Sequence, residues 1–244
     1  MKIQLLAAAL ALGACDEAPS PPARRGPSDS EQASGRAEPA RREISLDGVE
    51  NGVAAVTRNF YFIIDGSGSM KDPCAGDKEF TRKVDGAKWA VGEFLRQVPA
   101  DVNLGLWVFD QRGMGERVAL GPENRAAFSQ AVEAIEAGGA TPLADAIRAG
   151  VERLIAQYQR QLGYGEFRLV IVTDGIAEGI EEAADLASSY GFPIYTIGFC
   201  IDVYHPLRHL SVSYRAADSA ADLQAGLEAA VAEIETFDAT SFQK

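Results

Sequence analysis

FYFIIDGSGSM, residues 60–70, passes from consecutive large apolar side chains directly into an aspartate, two glycines and two serines. Apolar residues on successive positions, with no polar alternation, suit a strand covered on both faces, as in a parallel sheet. Its end presents Asp65, Ser67 and Ser69 at alternate positions, and Gly66 and Gly68 permit the backbone excursion that would aim them at one point. An ordinary polar turn, a catalytic serine or aspartate, and a site for a hard metal ion are all open readings here.

Similar apolar runs recur at NLGLWVF (103–109), FRLVIVTD (167–174) and PIYTIGF (193–199), with RVAL (117–120) and VSYRA (212–216) as candidate further strands. Helical stripes lie between and after them: Val84, Ala87, Val91, Phe94, Leu95 and Val98; Phe128, Ala131, Val132 and Ile135; Leu143, Ile147, Val151 and Leu154; Leu223, Leu227, Val231 and Ile234. Strand alternating with helix predicts an α/β fold, a doubly wound and mostly parallel central sheet flanked by helices. Functional groups of such sheets gather at the carboxyl ends of the strands. Asp65, Asp110, Asp174 and Cys200 all fall there.

The enzyme readings lack parts. A nucleophile elbow needs G-x-S-x-G, and that spacing fails around Ser67 and Ser69. Haloacid-dehalogenase phosphotransferases need a second aspartate two positions after the first, where this chain has Ser67. No Gly-Lys-Ser/Thr phosphate loop is present. His205 and His209, the only histidines, read as surface residues of a late loop or helix. Hydroxyls and carboxylates are hard oxygen donors suited to Mg²⁺ or Mn²⁺. One loop seldom completes an octahedron, so a metal site requires donors elsewhere. GGATPLADAI supplies Thr141 ahead of Pro142, and VIVTDG supplies Asp174. Read singly, Thr141 is a helix cap and Asp174 a strand-end turn residue.

Taken together, D-x-S-x-S, G-G-x-T-P-L and hydrophobic-T-D-G in this order resemble the von Willebrand factor type A domain, a Rossmann-like fold whose metal-ion-dependent adhesion site is built from three such loops. The resemblance covers about residues 58–238. It implies that Ser67 and Ser69 ligate the metal directly, Thr141 directly or through water, and Asp65 and Asp174 chiefly through water. It implies Mg²⁺ (or Mn²⁺) with a coordination position left for an Asp or Glu of a partner protein, hence binding rather than catalysis. A metal-dependent hydrolase acting on envelope substrates is the alternative, and it wants a general base that the sequence does not offer. In related domains the closing helix can shift with the metal site, and DLQAGLEAAVAEIETF (222–237) would be that helix here. Cys74 follows the serines on the same rim as Cys200, so the two either pair as a disulfide or remain free thiols.

MKIQLLAAALALGAC opens the chain with one lysine and an apolar run too short for a retained membrane span. Leu12-Gly13-Ala14-Cys15 resembles the bacterial lipobox, which makes residues 1–14 a signal peptide and Cys15 the lipidated residue. Residues 15–42 are rich in Pro, Ser, Ala, Arg and Glu and read as a disordered tether, leaving 43–244 as one domain. These features place the protein in the bacterial cell envelope, lipid-anchored to a membrane. A formal charge of −12 excludes nucleic acid as the expected partner, since that requires a positive surface.

Overall fold

The computed structural model describes residues 38–201 and 204–232. Residues 1–14, read above as a signal peptide, Cys15 and most of the expected tether lie outside the described residues, as does Ile234. The elements in chain order are β1 (Arg58–Asp65), α1 (Lys83–Gln97), β2 (Asn103–Asp110), β3 (Gly113–Gly121), α2 (Arg125–Glu133), α3 (Leu143–Arg160), β4 (Glu166–Thr173), α4 (Ile180–Ser189), β5 (Ile194–Phe199), β6 (Ser213–Ala217) and α5 (Ala220–Ala232). Short 3₁₀ turns cover Gly68–Lys71 and Pro206–Arg208.

The sheet runs in the order β3-β2-β1-β4-β5-β6, and all neighbours are parallel except the β2–β3 hairpin. β1 is central and buried on both faces, which is why it carries no polar alternation. Phe60, Phe62 and Ile64 face a core with Val91 and Phe94 of α1, Phe128 of α2 and Leu223 and Leu227 of α5. Tyr61 and Ile63 face the opposite core with Ile147, Val151 and Leu154 of α3 and Ala183 and Ala187 of α4. Phe62 sits edge-on to Phe128, ring centroids 5.2 Å apart, and 5.5 Å from Phe94.

The edge strand extends well beyond the RVAL stretch. Ile135 lies past the end of α2, although it is buried in the same core. The α4 helix has no counterpart among the sequence stripes. Residues 38–42, read as the end of the tether, are described: Arg42 donates its N–H to Ser189 O at 2.8 Å, and its guanidinium lies over the Tyr190 ring. Among the described residues, no helix is long and apolar enough to cross a membrane.

From β1 the chain builds outward through β2 and β3, then returns to lay β4 on the other side of β1. The connections leaving the carboxyl ends of β1 and β4 therefore diverge, and a crevice opens between them. Asp65 ends one of these strands, and Asp174 immediately follows the other.

Candidate metal centre

The loop after β1 is stitched into its neighbours by backbone hydrogen bonds. Gly66 N–H donates to Phe109 O at 2.8 Å, Gly68 N–H to Gly139 O at 3.1 Å, and Gly138 N–H to Gly66 O at 2.8 Å. Gly138 and Gly139 take φ values of 154° and 84°, which side chains rarely adopt, so the G-G pair is what lets the second loop close against the first.

Within this frame Asp65 accepts the Ser67 N–H at 2.8 Å through Oδ1 and the Thr173 hydroxyl at 2.6 Å through Oδ2. The Ser67 and Ser69 hydroxyls are 3.1 Å apart, and Ser69 donates to Asp174 Oδ1 at 2.8 Å. Thr141 reaches the same place. A methyl built on Gly175 would meet Thr141 Cγ2 at 3.1 Å, Thr141 Oγ1 at 3.5 Å and Asp65 Oδ2 at 3.6 Å. Thr141 is also not the helix cap: Pro142 holds that position, without a side-chain capping bond, and α3 begins at Leu143. The five oxygen-bearing residues singled out in the sequence thus come together.

Asp65 is fully buried. Desolvation, reinforced by the charge of Asp174, pushes its carboxyl up from 3.8 to about 6, although the hydrogen bonds from Ser67 and Thr173 pull the other way. The other oxygen of Asp174 receives Lys83 Nζ at 2.9 Å, in a pair whose side chains are 12% (Lys83) and 0% (Asp174) exposed. Sequence reasoning did not find Lys83, which lies 91 positions from its partner.

His205 departs from its expected surface position. It is buried, accepts the Leu207 N–H at Nδ1 and so donates from Nε2 to Gly175 O at 2.8 Å. Burial lowers its pKa, so it stays neutral and braces the Gly175 loop. Asp110, the remaining strand-end aspartate, turns away from the cluster. It pairs with Arg117 at 3.0 Å and Arg112 at 3.4 Å and accepts the N–H groups of Arg112 and Glu136. Cys74 and Cys200 form a disulfide, Cα atoms 5.6 Å apart.

Every donor of the cluster is a hydroxyl or carboxylate oxygen, the set that suits a hard divalent cation, and Gly175 keeps the space between Thr141 and Asp65 open. The residues fit such an ion. Among the described residues there is no group of three or more His, Cys, Asp or Glu placed to hold a metal, so a cation here would depend on the hydroxyls.

A family model described as the von Willebrand factor type A domain matches residues 59–238. The chain belongs to that family. Solved structures with the fold include the pilus adhesin SpaC from Lactobacillus rhamnosus GG, at TM-score 0.59 and 18% identity over 75% of this chain and 31% of that one. An aerotolerance-related membrane protein from Bacteroides fragilis aligns at TM-score 0.55 and 15% identity, over 75% of this chain and 100% of that one. Proximal thread matrix protein 1 from the mussel byssus, with a zinc-occupied MIDAS motif, aligns at 0.57 and 14%, over 73% and 48%. This von Willebrand factor type A chain therefore spans about a third of the pilus adhesin's length. A search of curated proteins finds no match.

Proposed function

We propose that this domain is a binding module of the bacterial envelope that holds Mg²⁺ or Mn²⁺ among Asp65, Ser67, Ser69, Thr141 and Asp174 and uses it to grip an Asp or Glu of a partner protein. The observation that carries this reading is that the Ser69 hydroxyl lies 3.1 Å from the Ser67 hydroxyl and 2.8 Å from Asp174 Oδ1, beside Thr141 and Asp65. A cation bound there supplies an electrophilic position for an anionic oxygen. The protein's own groups do the rest. Ser69 orients Asp174, Thr173 and the Ser67 N–H orient Asp65, and His205 holds the loop of Gly175.

Two features suit a protein ligand. An open groove of about 430 Å³ runs beside Thr141 between the start of α3 and residues 177–179, with Arg148 in its wall. Ile176 and Tyr204, on the loops joined by the His205–Gly175 bond, expose about half of their surface. Apolar side chains around a charged centre exclude water from it and so strengthen a contact with a carboxylate. The hydrolase alternative is disfavoured because both ring nitrogens of His205 are engaged, which leaves it no free lone pair with which to take a proton from a water.

The pilus adhesin and the membrane protein among the structural relatives are in keeping with an envelope role, and the zinc in the byssus protein with a cation site. Residues 1–14 as signal peptide, lipidation of Cys15 and residues 15–42 as tether complete the proposal and attach the domain to a membrane. Calorimetric titration with Mg²⁺ and Mn²⁺ tests the site: binding is expected for the wild type and lost in a Ser67→Ala, Ser69→Ala variant. Capture from envelope extract should then yield a partner released by EDTA and absent with Asp65→Ala. Equal metal binding by the double-serine variant would overturn the proposal.

A further inference from the structure

Among the described residues, Lys83 is the one cation inside the cluster. Its ammonium is 2.9 Å from Asp174 Oδ2 and mostly buried, while Ser69 holds the other oxygen of the same carboxylate. Helix geometry does not account for this placement. Lys83 is the first residue of α1, where the helix dipole disfavours a positive charge. The preceding Arg82 finds compensation outside, in a two-pronged pair with Asp85, whereas Lys83 turns inward. Its backbone N–H is fixed by Asp72 O at 2.9 Å, so the stem starts from a held position.

Resting on the metal-site reading above, we infer that Lys83 is a built-in competitor for the divalent cation: its ammonium neutralises Asp174 and must leave that carboxylate for the ion to bind. Charge decides the point. With both carboxylates ionised, Asp65, Asp174 and Lys83 together carry one net negative charge. Adding a divalent cation while the ammonium stays would leave a buried net positive charge, which a low-dielectric interior penalises. Exchanging the ammonium for the ion leaves the cluster neutral. The ammonium and the ion would also draw on the same Asp174 oxygens, and one of these is already committed to Ser69. Lys83 therefore sets the threshold of cation concentration at which the domain becomes competent to bind an acidic ligand. Its four-carbon stem gives the ammonium a route to the nearby surface, since the side chain is already 12% exposed.

The test compares the wild type with Lys83→Met and Lys83→Gln by Mn²⁺ and Mg²⁺ calorimetry, with Lys78→Met, an exposed lysine of the loop that precedes α1, as the charge control. Both Lys83 variants should bind metal about tenfold more tightly or better, the low end of what a charge-assisted hydrogen bond to a buried carboxylate is worth. Lys83→Met should melt below the wild type in EDTA, where Asp65 and Asp174 then face each other uncompensated, and the gap should close in excess Mn²⁺. Binding by the Lys83 variants but not by the wild type would support the inference in its strongest form. Affinity that is unchanged or weaker in folded Lys83 variants overturns it while leaving the metal site intact. Absence of binding in every folded form overturns the metal reading as well. On the wild type alone, the Lys83 ammonium signal in ¹⁵N NMR should lose its protection from solvent exchange when Mg²⁺ saturates the site, and retained protection at saturation would refute the displacement.

Discussion

Asp65→Asn isolates what the cluster costs the fold. Asp65 is 0% exposed, and burial together with the charge of Asp174 raises its carboxyl from 3.8 to about 6. At about 1.4 kcal/mol per pH unit, that rise amounts to about 3 kcal/mol. A carboxyl raised in the folded state favours folding while it is protonated. Its contribution is complete below pH 4 and is lost as pH climbs through 6. At pH 7.5 the wild type therefore keeps a buried charge at the expense of stability. Asparagine keeps the shape without the charge: its carbonyl can still accept the Ser67 N–H, and its amide can donate to Thr173 Oγ1, whose proton can turn to Gly175 O at 3.2 Å. Rewiring those bonds from charged to neutral costs about 1 kcal/mol. In EDTA at pH 7.5 the variant should thus be about 2 kcal/mol more stable, or roughly 4–8 °C higher in Tm for a domain of this size. The gain should vanish at pH 4.5, and saturating Mg²⁺ should stabilise only the wild type. Urea and thermal unfolding at the two pH values provide the assay. A variant less stable than the wild type at pH 7.5 in EDTA, or a difference independent of pH, would refute the reasoning. A gain would mark Asp65 as a residue retained for function against stability.

The Cys74–Cys200 disulfide closes a separation of 126 residues and anchors the loop whose Asp77 caps the start of α5, accepting the Ala220 N–H at 2.8 Å. The Cys74→Ala, Cys200→Ala variant should lose about 3–5 kcal/mol in urea unfolding, by the loop-entropy estimate, and the reduced wild type should match it. Gly105→Ala would place a methyl 2.5 Å from the Tyr61 ring, whose hydroxyl donates to Glu116 beneath α3. This overpacking should cost about 1–3 kcal/mol, read as a lowered urea midpoint, and less when combined with Tyr61→Leu.

Much of the framework was legible before any coordinates. β1 had to be central because Phe60 to Ile64 contains no polar position to turn outward, and the spacing of Asp65, Ser67 and Ser69 is a purely local matter of one loop. The α4 helix was missed for an equally local reason. Its buried face is Ile180, Ala183, Ala184 and Ala187, and alanines make too faint a stripe to stand out. His205 was misplaced because its partners are a neighbouring loop's carbonyl and a 3₁₀ N–H, neither of which the flanking residues announce.

By itself, then, the sequence determined the α/β alternation, the oxygen-bearing side chains at the strand ends and the glycines that let their loops bend, because each depends on side-chain period or backbone freedom within a few residues. Only the tertiary structure decided that Asp65, Thr141 and Asp174 share one crevice, that Cys74 meets Cys200, and that Lys83 pairs with an aspartate 91 positions away. Those meetings depend on strand order and on where the chain turns back across β1. Strand order is a property of how two buried faces pack around a sheet, and no local stretch of sequence encodes it.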